Sequence, residues 1–224
     1  MTEIPMPPSV RLDRPWLALD LGQPMQVLSW AINNPGFVTT DRIVWREVRN
    51  ADLPQELDVH AWFQGELSRC GEENSVAFLT SRNLERFQTS KAIVDGISAF
   101  VVATVGLSNA ERVGSRRLKP PNSHGTINVA AVVNAELSPT GLLEAQSSVV
   151  QARTAAVVDT GVTVPTGRAT GTGTDCVAVA SPVGETNYAG LHTVIGEALG
   201  RAVYRAVQAG VAAWKCEQDV TTAN

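Results

Sequence analysis

The chain has 224 residues, of which 44% are hydrophobic and 18% charged, with a formal net charge of −4. That balance describes a globular protein long enough to bury a core. It excludes a nucleic-acid footprint, because positive charge gathers only in the short Arg116–Lys119 cluster, and it contains no apolar run near the length of a membrane span.

Met1 to Val10 carries three prolines and no apolar stretch, so it does not read as the hydrophobic region of a signal peptide. The expected compartment is the cytoplasm, with no nucleic acid and no membrane as partner. Leu17–Leu21 and Met25–Trp30 read as strands joined by a turn at Gln23-Pro24, and Phe37–Val48 as a long strand, bulged or straight. Asp52 and Pro54 form a helix-start signal for a helix reaching Arg69, with Gly71 as its C-terminal cap. Ser75–Leu79 is a short strand, followed by a brief helix capped by Thr80 or Ser81. Within Lys91–Val105, Asp95-Gly96 supplies the positive φ angles of a type I′ turn, which predicts a hairpin.

Residues 106–123 read as a loop and Ile127–Val133 as a strand. Ser138-Pro139 opens a helix that reaches Asp159. Gly161–Thr174 is a long Gly/Thr segment leading into a buried strand, Cys176–Ala180. From Leu191 to Val211 apolar residues recur at helical spacing, with Glu197, Arg201, Arg205 and Gln208 on the other face. Gly196 and Gly200 mark an expected close approach of another element. Hairpins with helices in the second half predict a single α+β domain, a mixed, mainly antiparallel sheet with helices packed against it. Its expected bounds are 16–215, between an N-terminal tail 1–15 and a C-terminal tail 216–224.

Cys70, Cys176 and Cys216 are far apart and form no CxxC, and His60, His124 and His192 form no HxH or HExxH, so a metal or disulfide framework is not expected. Asp58-Val-His60 nearly spells a cobalt-ligating Asp-x-His-x-x-Gly box, but Phe63 stands where the glycine belongs. Four polar segments lie beside rigid elements, where sites usually form. In Thr104-Val-Gly-Leu-Ser-Asn-Ala110, Ser108 and Asn109 are either a nucleophile with its oxyanion donor or a turn. In His124-Gly-Thr-Ile-Asn128, Asn128 begins a strand, where an amide is unfavourable unless it binds something. Ala169-Thr-Gly-Thr-Gly-Thr-Asp175 is either an oxyanion cradle or a glycine turn whose Asp175 bonds its own loop amides. In Tyr188-Ala-Gly-Leu-His-Thr193, His192 is either a neutral base at a helix start or a surface histidine. Trp30 and Trp45 lie in adjacent β segments and are candidates for the floor of a wide groove.

In that order and spacing, these segments and the helix from Ile195-Gly196 to Val207 resemble the adenosylcobinamide amidohydrolase family, from about Val27 to Val207. The resemblance implies hydrolysis of the amide joining aminopropanol to the corrin propionate, giving adenosylcobyric acid for cobalamin salvage. It implies a corrinoid substrate and no required cofactor, and leaves a homo-oligomer open. On that reading Asp175 or His192 is the base, and Ser108, Asn109, Thr126, Asn128, Thr172, Gly173 and Thr174 contact the substrate, with Asn109, Asn128 and the Gly/Thr loop holding the oxyanion. The chain departs from the family pattern twice. Val150-Gln-Ala-Arg153 replaces Thr-Glu-Ala-Lys, and Ser29-Trp-Ala31 with Asn33-Asn-Pro-Gly36 replaces Ser-Ser-Ala with Asn-Gly-Gly. Gln151 cannot serve as a base in place of a glutamate. The alternatives are therefore a corrinoid-binding protein without hydrolysis and a relative hydrolysing another amide.

Overall fold

The computed structural model describes residues 7–49, 52–54, 56–115 and 125–222, with side chains through 218. The strands are β1 Ser9–Asp13, β2 Trp16–Ser29, β3 Gly36–Glu47, β4 Val76–Thr80, β5 Gln88–Val94, β6 Ile97–Val105, β7 Ala110–Glu111, β8 Ile127–Val133, β9 Thr163–Val164, β10 Gly167–Arg168, β11 Gly171–Thr172 and β12 Cys176–Ser181. The helices are α1 Val59–Cys70, α2 Pro139–Asp159 and α3 Val194–Thr222. The main sheet runs β4-β3-β2-β12-β8-β6-β5, with β1 alongside β2. Only β3–β4 and β12–β8 are parallel within it, so the sheet is mixed and mainly antiparallel in a single α+β fold.

Period-two alternation sorts the side chains into layers. On β6, β8 and β12 the odd positions Val101, Val129, Ala131, Val177 and Val179 pack under α2 and α3, while Val102, Ala130, Val132, Ala178 and Ala180 face the other way. Those second faces meet Leu17, Leu19, Ile43, Trp45, Val76 and Phe78 from β2, β3 and β4. The outer side of that group, Ala18, Val44 and Ala77, is covered by Phe63 and Leu67 of α1. The order is thus helices, sheet, sheet, helix, each fully buried large side chain contributing about 1.5–3 kcal/mol. The device that doubles the sheet over is in β2. Its pairing with β3 shifts between Asp20 and Met25, where Gly22 takes φ 77° and donates its amide to Asp20 Oδ1 at 2.8 Å.

Several expectations change here. The two strands around Gln23-Pro24 are one strand with a bulge, not a hairpin. The first helix starts at Val59, not Asp52. Asp58 Oδ1 accepts from the Ala61 amide as N-cap, whereas the Asp52 carboxylate accepts from the Arg49 amide. Gly71 does close that helix, at φ 69°. The brief turn at Leu84–Arg86 is capped by Asn83 rather than Thr80 or Ser81. Two boundaries also move. Part of the expected N-terminal tail is β1, zipped onto β2 from Ser9↔Asp20 to Asp13↔Trp16, and α3 continues through the expected C-terminal tail to Thr222. The Asp95-Gly96 hairpin, β8 and α2 fall where the sequence places them, with Asp95 at φ 43° and Gly96 at φ 84°. Among the described residues no helix is long and apolar enough to cross a membrane.

Candidate active site

Because β12 and β8 are parallel neighbours, the loops that feed them arrive at one end of the sheet. Antiparallel β6 leaves the sheet at that same end. Three of the four polar segments therefore converge, and β11 pairs with β7 to bind two of them together. Asp175 is the knot. Its Oδ1 accepts from the Ile127 amide at 3.0 Å and from Thr172 Oγ1 at 2.5 Å, and its Oδ2 from the Thr172 amide at 2.9 Å and Arg153 Nη1 at 2.7 Å. The two charged side chains are only 6% and 12% exposed. Burial pushes the Asp175 carboxyl above its ordinary value, while Arg153, Thr172 and the Ile127 amide pull it back.

Gly171 is required by this knot, since a Cβ there would stand 2.4 Å from Asp175 Oδ2. Gly173 has no such constraint; a Cβ would meet nothing within 4 Å. Thr174 Oγ1 donates to the Gly125 carbonyl at 2.9 Å, and Thr126 Oγ1 donates to the Thr174 carbonyl at 2.8 Å. Gly125 is pressed against the first segment: a Cβ would come 2.9 Å from Asn109 Oδ1, from the Gly106 carbonyl and from the Ser108 amide. Ser108 is exposed beside this contact.

Beside the loops, at the ends of the strands, lies a cavity of about 300 Å³ lined by Ile32, Leu79, Asn109, Thr126, Thr174 and Cys176 among others. Asn109 is one of its polar groups, with Arg49, Thr80 and Ser81 on the other walls. The Asn109 Oδ1 is buried without a partner, and its Nδ2 has one long contact, 3.4 Å to Thr174 Oγ1. Asn128 sits behind the wall. Its Nδ2 donates to the Leu79 carbonyl at 2.8 Å and its Oδ1 is 3.0 Å from Thr126 Oγ1, so it clamps β8 to β4. Burial, and then the charge of Asp175, pushes the Cys176 thiol up to about 11.

The fourth segment is elsewhere. Ala189 donates to Glu144 Oε2 at 2.6 Å and accepts from Ser148 Oγ at 3.1 Å, which seats the start of α3 against the first half of α2. Arg153, which reaches Asp175, is nine residues on from Glu144, about 13 Å along the helix. His192 is exposed and lines neither recess beside the Gly/Thr loop, and Thr193 Oγ1 does the capping by accepting from the Gly196 amide at 2.9 Å. Gln151 is likewise exposed, its Nε2 donating to Ser147 Oγ at 3.1 Å. The groove floor expected from two tryptophans has one: Trp45 is fully buried against Phe78, with ring centroids 5.1 Å apart, while Trp30 stands beside the loop. His124 and the Arg116–Lys119 cluster lie outside the described residues. The sequence marks Arg153 only as standing where the family pattern has lysine, and its pairing with Asp175, 22 positions away, has no local signal. Among the described residues no three His, Cys, Asp or Glu side chains converge as metal ligands would.

A sequence model of the adenosylcobinamide amidohydrolase family matches residues 4–219. A Methanosarcina mazei protein named adenosylcobinamide amidohydrolase is 31% identical over 62% of this chain and 68% of its own length. An uncharacterised Methanocaldococcus jannaschii protein is 27% identical over 61% of this chain, which spans only 62% of that relative's length. Among solved structures, a Pyrococcus horikoshii protein is 11% identical with a TM-score of 0.44, the superposition covering 93% of this chain and 80% of the other. A Burkholderia β-aminopeptidase is 12% identical with a TM-score of 0.42, covering 88% and 78%.

Proposed function

We propose, from the premise that this chain belongs to the adenosylcobinamide amidohydrolase family, that it hydrolyses the aminopropanol amide of adenosylcobinamide in the cavity beside the Gly/Thr loop. Water adds to the amide carbonyl, the C–N bond breaks, and the proton from water leaves with the amine, so one amide and one water become adenosylcobyric acid and aminopropanol. The observation that carries this reading is the Asn109 Nδ2 donor at the wall of that cavity, held there by one long contact, 3.4 Å to Thr174 Oγ1. That donor suits the carbonyl oxygen as it gains charge. Asp175, with both oxygens engaged, fixes the loop that shapes the cavity; the base role expected of it would cost it one of those bonds.

A protein that binds corrinoid without cleaving it is the second reading. It is favoured by one observation: the described residues lining the cavity include neither carboxylate nor imidazole. The test is incubation with adenosylcobinamide followed by mass detection of the acid. Product at catalytic turnover supports hydrolysis. A change in the corrinoid visible spectrum with no product would leave the binding reading instead, and neither signal would defeat both.

A further inference from the structure

Trp30 is 43% exposed, yet its indole is anchored. Its Nε1–H donates to the Asp175 carbonyl at 2.6 Å, and the Cys176 thiol lies 3.7 Å from its own carbonyl oxygen. Large exposed aromatics gain nothing from solvent, and an indole locked in place loses no rotamer freedom when something stacks on it. The ring forms a wall of a second recess of about 310 Å³, on the opposite side of the Gly/Thr loop from the amide cavity. Gly171, Gly173, Val113 and Arg112 contribute to the other walls. Val113 is 78% exposed, and nothing lies within 4 Å of where a Gly173 Cβ would be, so the space facing the indole is open and partly apolar.

We infer that this recess is a subsite for a purine, the adenine of the substrate's adenosyl group, stacked on Trp30. The inference rests on the proposed corrinoid substrate. Its volume is at the lower limit of small-molecule sites, enough for one base and too small for a corrin macrocycle. The two recesses share one short loop, residues 172–175, as their common wall. A ligand straddling that loop presents its amide arm to one side and its adenosyl group to the other. Trp30 is then a specificity-determining residue, separating adenosylated corrinoids from those that carry a small upper ligand.

The experiment measures kcat/KM for adenosylcobinamide and for hydroxocobinamide in the unaltered protein, Trp30→Ala and Trp30→Phe. Trp30→Ala is expected to reduce the preference for the adenosyl form by roughly 5- to 150-fold, the range of base–aromatic stacking. Trp30→Phe keeps a ring but loses the bond to Asp175, so it should retain most of the preference. An unchanged preference in Trp30→Ala, or equal losses in both variants, overturns the stacking assignment, because equal losses report only the missing anchor. If neither corrinoid is cleaved, the reaction proposed above fails. The same preference is then read as the ratio of dissociation constants from spectral titration, with the same two outcomes for Trp30.

Discussion

Removing Arg153 tests whether the knot at Asp175 holds the site together. In Arg153→Met the long apolar stem is kept and the charge is lost, leaving Asp175 buried with the Ile127 amide and the Thr172 amide and hydroxyl as its remaining donors. Breaking a buried pair from one side costs about 3–5 kcal/mol. With three donors still in place the lower end applies, so urea unfolding should give a loss of about 3 kcal/mol and a midpoint about 1 M lower. Asp175→Asn also loses the pair, and Arg153→Met/Asp175→Asn should lose about 1.5 kcal/mol or more less than the sum of the two. The pH dependence has a definite sign. The native carboxyl titrates above its unfolded value, so the native state takes up its proton first and this group's contribution to stability rises as pH falls through that window. Without Arg153 the native value rises further, and the cost of Arg153→Met should shrink from pH 7.5 towards pH 5. Single losses that add to within about 0.5 kcal/mol, or a cost that does not change with pH, would refute the coupling.

Asn109→Ala should lower kcat on adenosylcobinamide by about 10²- to 10³-fold with the melting temperature little changed, as loss of an oxyanion donor does; a change below threefold removes Asn109 from the chemistry. Cys176, with its thiol near pH 11, is about one part in a thousand thiolate at pH 8. Timed iodoacetamide labelling with peptide mapping should find it modified about 100-fold more slowly than the exposed Cys70 and Cys216, and equal rates would contradict the burial argument. Two α3 glycines should diverge. A Cβ on Gly210 would sit 2.5 Å from Val105 Cγ2, and overpacking of this kind costs about 1–3 kcal/mol. Gly200 has open space and should stabilise by about 0.5–1 kcal/mol as alanine. Thermal melts that move together would show the helix seated differently.

What could be read in advance was local chemistry. The Asp95-Gly96 turn, the Ser138-Pro139 start and the β-branched run Ile127–Val133 each state their conformation within a few residues, and each element forms there. Other local signals were harder. Asp52-Leu-Pro54 carries a helix-start signal, yet the helix begins at Val59, where its apolar face, Phe63 and Leu67, packs against Ala18, Val44 and Ala77 from distant strands. Gly22-Gln-Pro24 looks like a turn because a bulge uses the same residues; the doubling-over of the sheet was therefore hidden. β1 does alternate, Ser9-Val10-Arg11-Leu12-Asp13, but over only five residues, of which only Val10 is not exposed, so it reads as a tail until β2 pairs with it. Of the site, the segments were visible, as was the bond from Asp175 to its own loop amide at Thr172; the partners from other elements were not. Whether Asp175 is free or saturated depends on Arg153 from α2 and Ile127 from β8, and Gly171 rather than Gly173 is the indispensable glycine only because of where that carboxylate lies.

The fourth polar segment is the sharpest case, because sequence order placed it with the other three and the fold does not. Its small residues are explained by packing: a Cβ on Gly196 would stand 2.0 Å from the Gly190 carbonyl, one on Gly190 2.8 Å from Glu144 Oε1, and one on Gly141 2.1 Å from the Thr186 carbonyl. Between them, residues 186–196 seat α3 on α2, and the buried faces of those helices complete the main core. The histidine in that turn is exposed and does not cap the helix, since Thr193 does. His192→Ala should accordingly leave kcat/KM on adenosylcobinamide within about twofold and stability within about 0.5 kcal/mol, as exposed substitutions do. Gly196→Ala should instead unfold the protein several degrees earlier, through the backbone collision it creates. A tenfold fall in kcat for His192→Ala, with the melting temperature unchanged, would mean that this turn reaches the reacting amide, and the amide site would then have to lie at the start of α3 rather than beside the Gly/Thr loop.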